Sequence, residues 1–589
     1  MKRAAARSLI LGLLLFLLST AASAEGGDGF VMPGSGAGTA ENSSLQEEGL
    51  AEEETRSEEE GLPEGGIPVL SLTVDPAEFQ AVLDSKRHSY QAGNCTIRID
   101  VPEGYVCEYG EPDTSLLGCE LPLKYFRGRG NSTWLEDKKP FKFRLEESAD
   151  LLSMGANEHW VLLANAKDES LLRNRLMGYI GDAVGLAYTS KFVPVDLVVN
   201  GVYQGSYLLG EQVRTGENRI EIDKIGKKVT DGPELGGGYL LSMAPTEKDP
   251  EEGRITLESG LVFLVETPDF TEYDDSQQEG MKAQLAYIAG YLQRVEDAVF
   301  GEGFRNAAGE SAADLMDLES AAKYWWVQTF ALNDDGFAST STYLYKERDG
   351  KLYWGPLWDF DRSFWMNTYA DFLNYEPMPW LDHLRENDPE YRRILREVWD
   401  ELDGILQEVT REGGVLDRYA AEIRDSWMRD RELWSGEVPD EKTFERTVED
   451  LREMIELRRA AVAGVVDTEL SNVYAKLSFE ADGKIIAEEK LFAGETLPEK
   501  RFPQAPEKEG AVFLNWADET GRIFNALTRV GSDMKVHAVY ETGAAESGTA
   551  SEKEPEAPGK TPVWLIAGAG AVLLGGGIFL LARKKKKAD

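Results

Sequence analysis

The chain has 589 residues with 105 Asp and Glu against 63 Lys and Arg, a net charge of −42, and 42% hydrophobic residues, enough to build a core across about two to four domains. A surface of that charge repels phosphate backbones unless basic residues are segregated, and no basic stripe stands out before the extreme C-terminus, so a nucleic-acid partner is excluded. The scattered histidines His88, His159, His383 and His537 disfavour the usual zinc enzymes.

Residues 1–24 read as a secretory signal peptide. Lys2, Arg3 and Arg7 precede the apolar run Leu9–Leu18, and Ala22-Ser23-Ala24 supplies a small-residue exit. Residues 25–66 are rich in Gly, Ser and Glu, with like-charge blocks at Glu52–Glu54 and Glu58–Glu60, and predict a disordered acidic leader. From Ile67 the pattern changes to apolar alternation. Val69–Val74 predicts a strand, Pro76–Lys86 a helix, and Cys95–Val101 and Leu121–Phe126 further strands. Cys95, Cys107 and Cys119 can form at most one disulfide and leave an odd thiol.

A glycine-rich turn follows, Arg127-Gly128-Arg129-Gly130-Asn131-Ser132-Thr133-Trp134. The stretch from Lys138 to Leu145 then alternates basic and apolar residues, which on a strand puts Lys142 and Arg144 on one face. Two cations beside a glycine turn suit phosphate; the competing reading is a solvated edge strand guarded by charge. His159–Leu163 predicts a strand and Asp168–Val184 a helix. Phe192–Val199, the turn Asn200-Gly201 and Val202–Leu209 predict a hairpin that leads to Glu211.

Gly236–Met243 and Gly260–Val265 predict two more strands. Met281–Val299, Ala312–Leu332, Glu390–Thr410, Val415–Trp434 and Glu441–Val466 have helical spacing, so strands precede helices in an α+β order. Among the helices lie Asn333-Asp334-Asp335-Gly336, the strand-like Ser341–Tyr345, and Trp354-Gly355-Pro356-Leu357-Trp358-Asp359-Phe360-Asp361. Carboxylates among aromatics are costly to desolvate, so these must bind a cation, accept hydrogen bonds or hold a proton. Asp359 and Asp361 suit magnesium, which needs few protein oxygens; pairing with Arg362 or capping of a turn is the alternative. The tryptophans Trp325, Trp326, Trp354, Trp358 and Trp365 admit a sugar platform, although such density more often marks a core.

Residues 542–561 form a polar stalk, and 563–582 an uncharged apolar run long enough to cross a hydrocarbon layer of about 30 Å. Residues 583–589 carry Arg583 and Lys584–Lys587. The positive-inside tendency makes this a cytoplasmic tail and predicts a single-pass cell-membrane protein with an extracellular ectodomain.

Six ordered blocks together resemble the CotH (spore coat protein H-type) family of atypical kinases: Arg127–Ser132 with Lys138–Phe143, Asp168–Asn174, Gly201–Gly205 leading to Glu211, Asn333-x-Asp335, and Trp358–Asp361. The resemblance runs from about residue 67 to 468 and implies a diverged protein-kinase-like domain with N-terminal strands and a helical C-terminal half. It implies transfer of the γ-phosphoryl of ATP, with Mg2+ or Mn2+, to Ser or Thr hydroxyls of secreted or cell-surface proteins. Carried over by position, Lys142 looks like the lysine on the ATP phosphates, Asp335 like the catalytic-loop aspartate with Asp334 as competitor, and Asp359 like the metal-binding aspartate; Arg129 is an auxiliary phosphate contact, and Asp361 joins Asp359 as a metal oxygen on its chemistry. Two departures from relatives, Ser339–Thr342 where many carry Asn and the absence of a glycine after Asp361, leave a noncatalytic surface scaffold or adhesin as the alternative. Residues 473–541 are similar to internalin-type B-repeats through Gly494–Pro498, Phe513–Trp516 and Val536–Tyr540, a resemblance that implies a small β-rich module.

Overall fold

The computed structural model describes residues 66–542 apart from 91–94, 247–248, 334–335, 338, 340, 365–377, 437 and 471–472. Its first eight strands are β1 (Val69–Thr73), β2 (Ser89–Tyr90), β3 (Thr96–Asp100), β4 (Leu121–Gly128), β5 (Phe141–Ala149), β6 (Asn157–Leu163), β7 (Phe192–Val199) and β8 (Val202–Glu211). They are ordered β2-β4-β3-β1-β7-β8-β6-β5, and β5 also pairs with β4, so seven strands close into a barrel while β2 continues along the β3 side of β4. Closure removes the sheet edges that an open sheet would expose.

Side-chain alternation decides what lies on each side of this wall. Phe126, Phe141, Phe143, Trp160, Leu162, Val195, Leu197 and Leu209 fill the interior. Their outward neighbours Arg127, Lys142 and Arg144 stay partly open, whereas Val161, Leu163 and Leu208 pack outside the barrel against Phe192 and Trp358. The Asn200-Gly201 turn between β7 and β8 has φ of 48° and 83°, as the sequence predicts for a tight hairpin. The Asn200 side chain also accepts from the Val74 amide and donates to its carbonyl, which ties the hairpin to the end of β1.

Helix α1 (Pro76–Asp84), opened by the Asp75 carboxylate on two backbone amides, follows β1; α2 (Arg173–Ala183) packs against β7. A second sheet contains β9 (Tyr239–Met243), β10 (Arg254–Thr256), β11 (Val262–Thr267), β12 (Tyr343–Lys346) and β13 (Leu352–Trp354) in the order β10-β11-β9-β12-β13. Around it lie α3 (Gln278–Phe300), α4 (Ala312–Leu315), α5 (Leu318–Ala331), α6 (Pro379–Asn387), α7 (Pro389–Thr410), α8 (Val415–Ser435) and α9 (Glu441–Glu469). Trp325, Trp326, Trp354, Trp380 and Trp399 are buried in the shared core, so the aromatic density marks packing there. The helix predicted over Ala312–Leu332 is two helices. Ser311 and Asp314 cap the first reciprocally, and Asp317 caps the second through the Ser320 amide at 2.8 Å.

Beyond α9 come β14 (Tyr474–Ala481), β15 (Lys484–Phe492), β16 (Glu495–Thr496), β17 (Ala511–Asp518), β18 (Ile523–Phe524), β19 (Arg529–Val530) and β20 (Met534–Thr542). Five form a sheet ordered β15-β14-β20-β17-β18, and β16 pairs with β19. Leu477, Phe479, Trp516, Phe524 and Val536 make its core. The Tyr474 hydroxyl donates to Asp400 of α7 at 2.6 Å.

Two expectations are corrected. The α+β reading with strands first and helices later gives way to a mixed α/β architecture, because β5 returns to β4 and closes the barrel, and because the second sheet is interleaved with helices. The single transmembrane helix and the single-pass cell-membrane localisation are withdrawn: no helix among the described residues is long and apolar enough to cross a membrane. The long helices are amphipathic; α9 buries only the stripe Phe444, Val448, Leu451, Ile455, Val462 and Val466, with Arg458 among them. The expected segments 1–24, 563–582 and 583–589 lie outside the described residues, as do 25–66 and 542–561 apart from residues 66 and 542. Cys95, Cys107 and Cys119 are all free thiols, the first two buried.

A buried ion pair ties the barrel to α8. Lys138 Nζ donates to Asp430 Oδ1 and to the Ser206 carbonyl, each at 2.5 Å, and Asp430 also accepts from the Ser206 amide at 2.9 Å. Removing one partner strands the other charge, so Asp430→Ala is expected to cost about 3–5 kcal/mol, read as a lower urea midpoint. The double variant Lys138→Met/Asp430→Leu should recover part of that loss.

Candidate functional site

A cavity of about 550 Å³ lies between the outer wall of the barrel and the second sheet with the acid-rich segment after β13. It is lined by Lys142 and Arg129 on the barrel side and by Asp359 and Asp361 opposite, so four side chains distant in sequence meet in one cleft. Asp335 and its neighbour Asp334 lie outside the described residues. Their flanks are close to the cleft: a side chain at Gly336 would come within 2.1 Å of Asn333 Nδ2 and 3.0 Å of the Asp359 carbonyl oxygen.

The glycine turn forms the lip of the barrel wall. A Cβ on Gly128 would stand 2.2 Å from the Trp134 ring, and Gly130, at φ 80°, would bring one to 2.3 Å from Thr133 Oγ1. Only a residue without a side chain admits that winding. Lys86 clamps the turn, donating to the Gly130 carbonyl at 2.5 Å and to Asn131 Oδ1 at 3.1 Å. The Arg129 amide donates to the Pro140 carbonyl at 3.1 Å, and its guanidinium lies 5.3 Å from the centre of the Trp358 ring. Burial draws the Arg129 pKa down, while Asp359, Tyr343 and Asp361 oppose that shift.

Lys142 projects from β5 between Arg127 of β4 and Val161 of β6. Among the described residues it makes no hydrogen bond or ion pair. Burial, then Arg127, Arg129 and Arg214, push its ammonium down to about 8. Glu211, the acid that ends the Gly201–Gly205 block, is engaged elsewhere. It pairs with Arg219 at 2.7 Å and accepts from the Lys191 amide at 2.9 Å.

The acidic wall is held by a relay of amides. Asn165 Nδ2 donates to the Leu171 carbonyl at 3.3 Å, Asn174 Nδ2 donates to Asn165 Oδ1 at 2.9 Å, and the Phe360 amide donates to Asn174 Oδ1 at 2.8 Å. Asp168 prepares the start of α2 by accepting from the amides of Ser170 and Arg173, which explains why the predicted helix begins at Arg173 and not at Asp168. Phe360 and Phe364 sink into the core, and the Phe364 amide donates to the Ala331 carbonyl at 2.8 Å. Just before the first anchor Asp359 has φ 66° and accepts from the Ser341 hydroxyl at 3.3 Å. Asp361 is 5% exposed.

Arg127, Ser242, Asp249, Glu266, Ser341 and Tyr343 also line the cleft without having been singled out for it. Arg127 was legible as the first residue of the glycine-rich turn, and β4 sets it directly across from Lys142. Glu266 was not, because one outward carboxylate on β11 carries no distinctive pattern. Burial raises its pKa, and the Ser242 hydroxyl donates to it at 2.7 Å.

Among the described residues no group of three or more His, Cys, Asp or Glu could hold a metal. Two neighbouring carboxylates still fit magnesium or manganese, which takes one or two from the protein and completes its shell with phosphate and water. A cationic wall facing an acidic one is the charge pattern that a metal-bound phosphate chain requires. No curated protein matches the chain. The family description CotH kinase protein matches residues 126–462, which include β5, α2 and the acid-rich segment. That match spans more than half of the sequence, so the chain belongs to the CotH kinase protein family and is an atypical kinase-like protein.

Proposed function

We propose that the cleft binds ATP with Mg2+ or Mn2+ and transfers the γ-phosphoryl to a Ser or Thr hydroxyl of a protein. The observation that carries this reading is the meeting of Lys142 and Arg129 with Asp359 and Asp361 around one cavity. Lys142 and Arg129 hold phosphate oxygens by charge-assisted hydrogen bonds, and Asp359 and Asp361 hold the divalent ion. When bound, that ion neutralises charge on the β- and γ-phosphate oxygens. Asp335 is assigned the orienting carboxylate on the family resemblance. It accepts the hydroxyl proton as the acceptor oxygen bonds to γ-phosphorus and the bond from γ-phosphorus to the β-phosphate oxygen breaks. Most of the work is positioning and charge stabilisation, which this small set of groups can supply.

A second reading, a nucleotide-binding scaffold without transfer, draws support from Ser341. A hydroxyl donating to Asp359 stands near the position where relatives carry an amide. Thermal unfolding separates binding from its absence, since a ligand at 100 times its Kd adds about 2.7 kcal/mol. The purified chain is expected to melt at a higher temperature with ATP and magnesium. Transfer of label from γ-labelled ATP to protein is expected as well, falling about 10²-fold or more in Lys142→Met and Asp359→Asn. Stabilisation without any label transfer supports the scaffold, and no stabilisation at millimolar nucleotide rejects both readings.

The lowered Lys142 pKa gives a pH signature. The protonated ammonium is the form that attracts phosphate, so nucleotide affinity should be flat below about pH 7 and fall towards tenfold per unit as pH rises past about 8. Lys142→Arg, which stays charged, should lose this dependence. Calorimetric titrations at a series of pH values check it, and an unchanged profile in the arginine variant would remove Lys142 from the phosphate contacts.

A further inference from the structure

The stripe that α9 buries has one residue out of pattern. Phe444, Val448, Leu451, Ile455, Val462 and Val466 recur at helical spacing, and Arg458 occupies the place between Ile455 and Val462 where an apolar side chain would complete the run. It is 1% exposed, and burial pushes its guanidinium down to about 10. A cation at that place costs desolvation that leucine or methionine would avoid, so the packing of α9 does not account for it.

Arg458 faces the carboxyl end of α5. Its Nη2 donates to the Thr329 carbonyl at 2.9 Å and its Nε to the Phe330 carbonyl at 3.4 Å, so the positive group stands at the negative pole of that helix. The last four carbonyls of a helix have no partner within it. Here those of Gln328 and Thr329 accept from the Leu332 amide, that of Gln328 also accepts from the Asn333 amide at 3.3 Å, and that of Ala331 accepts from the Phe364 amide at 2.8 Å. Arg458 completes the set at Thr329 and Phe330.

Two segments at the cleft are thereby tied to one helix end. Leu332, buried with φ 50°, turns the chain sharply out of α5, and a residue other than glycine keeps that conformation only where its surroundings fix it. Asn333 follows, its side-chain amide donating to Gln328 Oε1 at 2.9 Å, and Gly336 then passes so close to Asp359 that a Cβ would stand 3.0 Å from its carbonyl oxygen. The other segment is the loop of Asp359 and Asp361, which Phe364 anchors. We infer that Arg458 is a positioning residue: by capping α5 it fixes the chain at Asn333 relative to the loop of Asp359 and Asp361. The inference rests on the kinase reading above, in which Asp335 follows Asn333 as the orienting carboxylate, and adds to it a group that does not line the cavity.

Arg458→Met and Arg458→Lys in the full chain test this. Methionine suits the apolar stripe and keeps α9 packed, whereas lysine keeps a cation at the helix end. In Arg458→Met the kcat for label transfer from γ-labelled ATP is expected to fall about tenfold or more, because small misplacements at a reacting centre are costly. KM for ATP should change less than about threefold, since Lys142 and Arg129 stand on the barrel, and Arg458→Lys should recover part of kcat. Hydrogen exchange gives a readout independent of activity. The Asn333 and Phe364 amides should exchange about tenfold or more faster in Arg458→Met, while barrel amides such as that of Leu162 keep the parent rate and show that the variant is folded. A kcat within about twofold of the parent, or faster exchange spread evenly over the chain, overturns the proposal. If the parent chain transfers no label, the kinase reading falls by itself and exchange alone decides: acceleration confined to Asn333 and Phe364 sustains the positioning role, and unchanged exchange rejects it.

Discussion

Closure of the seven-strand barrel is the constraint from which the cleft follows. A closed wall has a filled interior, so every second residue of β4, β5 and β6 is committed to aromatic and aliphatic packing. The residues between them have one place to go, the outer surface, and this is why Arg127, Lys142 and Arg144 stand together there. An open sheet could have slipped its register by one residue and turned these cations inward; a ring pinned on both edges of each strand cannot. The position of the cationic wall is thus set by hydrophobic packing on its far side.

The facing acids are fixed by different means. No strand holds Asp359 and Asp361. Two buried aromatics, Phe360 and Phe364, act as anchors between and after them, and the Asn165–Asn174 relay fixes the backbone at Phe360. Packing and backbone hydrogen bonds hold the carboxylates beside such anchors in place, and the αL conformation at Asp359 is held by contacts on both sides. The cleft is therefore assembled from a rigid sheet on one side and a pinned loop on the other, each stabilised by its own core.

Much of this was written locally in the sequence. The strands of the barrel follow the period-two alternation of Val69–Val74, Leu121–Phe126 and Lys138–Leu145, and the Asn200-Gly201 hairpin its turn residues. The crowding of acids with tryptophans at 354–361 singled out a segment that lines the cleft, and four of the expected site residues share one cavity. What stayed hidden is non-local. The return of β5 to β4 is a pairing choice among many apolar strands, and Glu266 reaches the cleft because β11 lies beside β9. The break between α4 and α5 was signalled by Ser311, Asp314 and Asp317, yet the apolar period ran across it and concealed the caps.

The contacts that join the last β-sheet to the helices form a mechanical linkage. Tyr474 is hydrogen-bonded to Asp400 on α7, the Leu395 carbonyl on that same helix accepts from the Trp326 indole of α5 at 2.7 Å, and the final residue of α5 holds the Phe364 amide. Tension applied beyond β20 would travel along this line of hydrogen bonds to the loop that carries Asp359 and Asp361. A pull on the carboxyl-terminal sheet is thereby strain on the wall of the cleft.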